Sequence, residues 1–272
     1  MTQATLAAPF AFDGVGLHTG VQARVEVRPA PEDAGLVFAL GADAFEVPAL
    51  AEYVTDTSRA TVVGRDGRTV STIEHLLSAL FGMGVTNATI AVDGPEIPAA
   101  DGSGKQFVEM IENVGLRPQP ARRATMKLDL PYYLRDGERL IAALPSDGFR
   151  IRFVADFPSP VGTQYYDGSM TPAVYRADIC GARTFGYLHE VEALRARGLA
   201  RGGSLENAIV FDADGPMRPL RWPNEVVRHK VLDLLGDLAL LGAWPQFEIV
   251  AIKSGHALHA AAALALRKGA NP

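Results

Sequence analysis

Gly115–Arg123, GLRPQPARR, is the point at which the chain divides. Pro118 and Pro120 have no backbone N–H to donate, and the arginines around them favour water, so the segment reads as a linker. It leaves halves of 1–118 and 124–272, each of a size suited to one domain. Outward from the linker, both halves present the same order of elements. In the first, a helical stretch over 71–83 ends at Gly84, a strand follows over 88–92, and a turn-rich loop through Asp101-Gly102-Ser103 leads to a helix over 105–113. In the second, a helix over 224–241 ends at Gly242, a strand follows over 247–252, and Lys253-Ser254-Gly255 turns the chain into an Ala-rich helix reaching Arg267. Superposing Gly84 on Gly242 sets His75 opposite Asp233. The expected class is α+β, with two similar units facing each other across a cleft.

Other strands are expected over 21–28, 35–39, 61–63, 125–130, 139–143 and 150–156, most with period-two alternation, and a short helix over 190–197.

With 48% hydrophobic and 21% charged residues, the 272-residue chain has the composition of a soluble globular protein. The net charge of −5 and the lack of a long basic tract argue against nucleic-acid binding. Met1–Phe12 carries no Lys or Arg and makes a poor signal peptide. No apolar run approaches the ~20 residues of a spanning helix. The single cysteine, Cys180, excludes an intrachain disulfide and a cysteine-rich metal site. A cytoplasmic location is expected.

On the 224–241 helix, His229, Asp233 and Asp237 lie four residues apart and form one polar stripe among Val231, Leu232, Leu234, Leu235 and Leu238. Buried charge needs a partner. A metal ion fits His plus Asp, and the alternative is that Asp233 and Asp237 pair with Arg or Lys at a domain interface. In Ser71-Thr-Ile-Glu74-His75, Ser71 and Glu74 satisfy a capping box, which alone would explain Glu74. Alternatively His75 supplies a third ligand, and Glu74, about 100° round the helix, takes a proton from an adjacent water. His256 opens the last helix, where the dipole disfavours an imidazolium unless an anion such as Asp237 compensates. Gly181–Gly186 and Gly202-Gly203-Ser204 mark loops with permissive backbone, and Thr184 there could donate to an oxyanion. Gly14–Gly20 is glycine-rich but has neither a dinucleotide fingerprint nor a phosphate-loop lysine.

Together these segments resemble the UDP-3-O-acyl-N-acetylglucosamine deacetylases, zinc enzymes of lipid A synthesis. The resemblance rests on GVGLHTG (14–20), STIEHL (71–76), DGS (101–103), GARTFG (181–186), GGSLENAIV (202–210), NEVVRHKVLDLLGDL (224–238) and KSGHALH (253–259), in that order. It implies a β-α-α-β sandwich whose helices lie between two sheets. It also implies zinc on His75, His229 and Asp233, with iron(II) compatible, and Glu74 as general base. His256 would be the acid, oriented by Asp237, while Thr184 would face the oxyanion and Lys230 and Lys253 the substrate. Phe185, Asp156 and Phe157 would lie near sugar and nucleotide, with His18 in a motif near the site. An inserted βαβ element at about 187–209 would line an acyl passage with Leu188, Val191, Leu194 and Leu199. The partner implied is a UDP-linked acylated amino sugar, for a monomer with no integral membrane segment and with peripheral membrane association compatible. Arg201 beside the acyl passage, and Gly104-Lys105-Gln106 after Asp101-Gly-Ser, depart from the family pattern and bear on acyl preference. Two rivals are a metallo-amidase of another acylated amino sugar and a non-catalytic homologue.

Overall fold

Alternation of buried and exposed side chains along Gln22–Pro29, with Ala23, Val25 and Val27 inward, makes a strand with one core face. In the computed structural model, which describes residues 1–269, that strand belongs to a five-stranded sheet. Its order is Phe10–Val15, Gln22–Pro29, Ala88–Asp93, Leu36–Leu40, Phe45–Pro48. The central Ala88–Asp93 runs antiparallel to Gln22–Pro29 and parallel to Leu36–Leu40. A second sheet has the order Tyr132–Asp136, Arg139–Pro145, Trp244–Ile252, Arg150–Asp156, Thr163–Ser169. Trp244–Ile252 is likewise antiparallel to the preceding hairpin and parallel to the following one. Two hairpins with a late strand inserted between them is thus the topology of both sheets. Thr125–Lys127 adds alongside Trp244–Ile252 in parallel, a shorter strand than the sequence suggests.

The helices are α1 Glu74–Gly82, α2 Lys105–Val114, the single turn α3 Pro172–Val174, α4 Leu188–Ala196, α5 Glu225–Ala239 and α6 His256–Arg267. Every residue of α1 is buried, and α5 leaves only Arg228 and Lys230 less than buried. Helices enclosed on all sides belong in the middle of the fold. One continuous apolar core accordingly joins Val25, Phe38 and Ile90 of the first sheet, Leu76 and Leu80 of α1, Leu232 and Leu235 of α5, and Ile151, Phe153 and Ile249 of the second sheet. The mixed α+β class expected from the sequence is the one found.

The close approach of α1 to α5 depends on Gly236. A Cβ there would lie 2.1 Å from the backbone oxygen of Glu74, so no other residue fits without separating the helices.

Three local expectations are corrected. Leu116–Arg122 is not a solvated linker but a strand, antiparallel to Thr2–Leu6. In a two-stranded ribbon alternate N–H groups point away from the partner, so prolines spaced two apart, 118 and 120, cost few ladder bonds. Gln119 between them is buried, accepting from Asn87 and donating to the Ala30 carbonyl. The capping box is absent: α1 begins at Glu74 with Ile73 before it, and the Ser71 hydroxyl donates to the Pro95 carbonyl. Thr72, at φ 56°, bends the chain away from a helical path between them. The inserted element runs wider than expected, with parallel strands Phe185–Tyr187 and Ile209–Phe211 flanking α4. Among the described residues no helix is long and apolar enough to cross a membrane.

Candidate active site

The α1–α5 seam brings together groups that lie far apart in sequence. His75 Nε2 lies 3.7 Å from Asp233 Oδ1, and His229 Nε2 lies 3.3 Å from the same oxygen. The two imidazoles meet edge to face with centroids 5.0 Å apart. All three side chains are buried. The other Asp233 oxygen, Oδ2, accepts from Lys230 Nζ at 2.6 Å and lies 3.9 Å from His256 Nε2.

The protonation pattern suits a cation. His229 Nδ1 faces the Ala182 carbonyl at 3.1 Å, an oxygen that can only accept, so Nδ1 carries the proton and Nε2 presents its lone pair. Burial and the facing His229 hold His75 down at about 3, and burial likewise lowers His229, leaving both rings neutral. Burial works against the Asp233 carboxylate, but His229, Lys230 and His256 around it outweigh burial and keep its pKa below the ordinary value. The neutral imidazoles of His75 and His229 and the Asp233 carboxylate bring ligand atoms within 4.8 Å of one another, where a positive centre would satisfy their lone pairs. Two His and one Asp are an ordinary donor set for zinc with a position left open. The residues present fit a metal ion.

Beside this trio, Glu74 and His256 face each other. Glu74 Oε2 accepts from the Thr61 backbone N–H at 3.1 Å, and its Oε1 lies 4.0 Å from His256 Nε2. Burial, with Asp233 and Asp237 nearby, raises Glu74 to about 7. His256 Nδ1 donates to Asp237 Oδ2 at 2.9 Å. Burial pulls His256 down, but Asp237, Glu74 and Asp233 more than compensate and raise it to about 9. Buried Asp237 is itself held at about 2 by His256 and His259 despite its desolvation.

Two residues at this centre had no role in the sequence reading. Thr61 joins the two carboxylates, its N–H on Glu74 and its hydroxyl on Asp237 Oδ1 at 2.5 Å. His259, fully buried, places Nδ1 2.8 Å from Asp237 Oδ2 and Nε2 2.9 Å from Ser254 Oγ. The i, i+3 spacing of His256 and His259 could have put both on one face of α6. Thr61 gives no signal, because its partners, Glu74, Asp237 and His256 Nδ1 at 3.2 Å, come from three separate segments.

The remaining candidates lie around this centre to different degrees. The Thr184 N–H donates to the Gly102 carbonyl at 2.7 Å, tying the loop of the second half to the Asp101–Ser103 turn of the first. The neighbouring Arg183 forms a buried pair with Glu225 at the start of α5, at 2.9 Å. Phe185 lies edge-on to His229 at 6.2 Å and to Phe157 at 5.0 Å. Lys253 Nζ pairs with Asp156 at 2.7 Å and Glu138 at 3.0 Å, and both lysines border a cavity of about 590 Å³ with Phe153, Asp156 and Phe157. His18 is held near the site by its backbone: its N–H donates to the fully buried Glu96, which also accepts from Thr19 and Thr72. Burial lowers its pKa. Leu188 is exposed, while Val191, Leu194 and Leu199 are half-buried. The carbonyls of Leu17 and His18 accept from Gly202 and Arg201, so the first half's glycine-rich loop anchors the end of the insert.

A family model described as UDP-3-O-acyl N-acetylglycosamine deacetylase matches residues 3–268. A relative in Phenylobacterium zucineum is 46% identical, over 98% of this chain and 93% of its own length. One in Syntrophotalea carbinolica is 44% identical, over 93% of this chain and 84% of its own. One in a Nostoc species is 42% identical, over 95% and 96% respectively. All three carry the name UDP-3-O-acyl-N-acetylglucosamine deacetylase.

Proposed function

This chain belongs to the UDP-3-O-acyl-N-acetylglucosamine deacetylase family, and from that premise we propose that it hydrolyses the N-acetyl amide of UDP-3-O-acyl-N-acetylglucosamine. The products are acetate and the free amine, in the committed step of lipid A synthesis. The observation that carries the reading is the convergence of His75 from one α+β unit with His229 and Asp233 from the other.

On this reading His75, His229 and Asp233 hold zinc(II), with iron(II) accommodated by the same donors. Zinc supplies Lewis acidity, which makes water a nucleophile near neutral pH and polarises an acyl oxygen. Glu74 is the general base. Its Oε2 is occupied by Thr61, so Oε1 is the oxygen that receives the proton of the attacking water. His256, kept protonated at Nδ1 by Asp237, gives its Nε2 proton to the departing amine nitrogen. Thr184 donates to the developing oxyanion. Lys230 and Lys253, with Asp156 and Phe157, position the sugar and nucleotide along the cavity they border, and Phe185 backs Phe157 beside it. His18 contributes from the loop held by Glu96, and Leu188, Val191, Leu194 and Leu199 receive the acyl chain. The centre is then shared by two domains, the first running through the strand Leu116–Arg122 that pairs with Thr2–Leu6 and the second over 124–272, acting as a cytoplasmic monomer that reaches its substrate without a membrane span.

The test is a deacetylation assay on UDP-N-acetylglucosamine with and without a 3-O-acyl chain. Turnover that requires the acyl chain supports the reading. Equal turnover of both compounds, or turnover of neither, overturns it.

A further inference from the structure

The Asp237 carboxylate has more partners than a role in orienting His256 alone requires. Oδ1 is taken by the Thr61 hydroxyl, and Oδ2 receives both His256 Nδ1, at 2.9 Å, and His259 Nδ1, at 2.8 Å. A carboxylate oxygen can only accept from a ring N–H, so His259 must carry its proton at Nδ1. Its Nε2 is then an acceptor, and the group facing it is the hydroxyl of buried Ser254, at 2.9 Å. A hydroxyl can donate, and here that is the role left open to it. The contacts form one directed chain, from Ser254 to His259 to Asp237, with His256 as the other donor on the same oxygen.

We infer that His259, set in one tautomer by Asp237 and braced at Nε2 by Ser254, is a positioning residue for catalysis: it locks the Asp237 carboxylate in the rotation that points His256 Nε2 toward Glu74 Oε1, at 4.0 Å, and Asp233 Oδ2, at 3.9 Å. The inference rests on the deacetylase reading above. His259 reaches the reacting atoms only through Asp237. Its loss leaves Oδ2 with a single donor and lets the carboxylate turn about its Cβ–Cγ bond, carrying the His256 ring with it. Burial favours the neutral ring that this arrangement needs, and lowers the His259 pKa accordingly. His259 and His256 lie three residues apart on α6, so Asp237 is gripped from two points of one rigid element. Thr61 holds its other oxygen from a different segment.

The test compares His259→Leu, His259→Asn and Ser254→Ala in the metal-loaded full-length enzyme. His259→Leu keeps the volume and removes the donor. It is expected to lower kcat by about 10- to 100-fold, as is typical for residues that orient an active-site group, with KM and bound metal unchanged. Asn places its amide N–H where the Nδ1–H was, and is expected to restore most of that loss. Ser254→Ala leaves Asp237 its donor but removes the partner that braces the His259 ring at Nε2, and is expected to fall between the two. It also stands in if the Leu variant does not fold. In the Asp237→Asn background, His259→Leu is expected to cost little more, since both act through one carboxylate. Wild-type kcat in His259→Leu, an Asn variant as impaired as Leu, or strictly additive losses in the double variant would each overturn the inference. Wild-type enzyme that does not deacetylate the substrate at all points instead to failure of the functional reading.

Discussion

His75 and Asp233 meet across the seam between α1 and α5, Nε2 to Oδ1 at 3.7 Å, although 158 positions separate them in the chain. Neither helix alone gathers the three groups that could hold a metal: α5 offers His229 and Asp233, and α1 adds His75. The seam that assembles the site also closes the core, so the chemistry and the stability of this fold share one contact surface.

That shared surface makes Gly236→Ala informative. The added methyl meets the Glu74 carbonyl oxygen at 2.1 Å, backbone against backbone, and α1 has to move. Overpacking of this kind costs about 1–3 kcal/mol. For a chain of this size that corresponds to roughly 2–4 °C in Tm per kcal/mol. Thermal unfolding is expected to show the loss, and metal affinity to fall with it, because His75 moves with Glu74. An unchanged Tm with full metal binding would show that the seam is not tightly closed.

Glu74→Ala separates the proposed base from the proposed ligands. Glu74 accepts from Thr61 and faces His256, and neither contact involves the His75, His229 and Asp233 donors. The variant is expected to keep its metal and lose about 10²- to 10⁴-fold in kcat, the range typical of general acid–base groups. Metal analysis and steady-state rates on one preparation decide it. A variant turning over at near wild-type rate would remove Glu74 from the base role.

His229→Ala is expected to do the reverse and release the metal. The Ala182 carbonyl that fixes the His229 tautomer then loses its donor as well, so some thermal stability goes with it. Elemental analysis after dialysis checks this. Full metal retention would place the ion elsewhere.

On the proposed mechanism the pH dependence follows from two raised groups. Glu74, at about 7, acts ionised, so activity rises as pH passes upward through its pKa. His256, at about 9, acts protonated, so activity falls as pH passes through that value. The expected profile of kcat/KM is a bell, with its acid limb at about 7 or below once a cation sits beside Glu74. Asp237→Asn removes the nearest anion from His256, lowers its pKa, and is expected to move the alkaline limb down. An alkaline limb unmoved in that variant would show that another group controls it.

The sequence carried most of the site because helical spacing is a strong constraint. His229, Asp233 and Asp237 could share one face only if residues 224–241 were helical, and α5 is. Matching Gly84 with Gly242 placed His75 opposite Asp233, and both glycines do take positive φ just beyond their helices. What failed were readings of local motifs that tertiary contacts override. Ser71 and Glu74 have the spacing of a capping box, but the Pro95 carbonyl takes the Ser71 hydroxyl and Thr61 takes the Glu74 carboxylate. Pro118 and Pro120 look like a linker until Thr2–Leu6 supplies a partner strand. Thr163–Ser169, TQYYDGS, was passed over because an edge strand with polar residues lacks the apolar signal of its neighbour Arg150–Asp156.

The most direct measurement of the central claim is the metal content of the purified chain, paired with deacetylation of UDP-3-O-acyl-N-acetylglucosamine before and after chelation. We expect about one zinc per chain. Activity should vanish on chelation and return when zinc(II) is added back, and His75→Ala should neither hold the metal nor respond to it. Full activity in the chelated protein, or in His75→Ala without bound metal, would contradict the account.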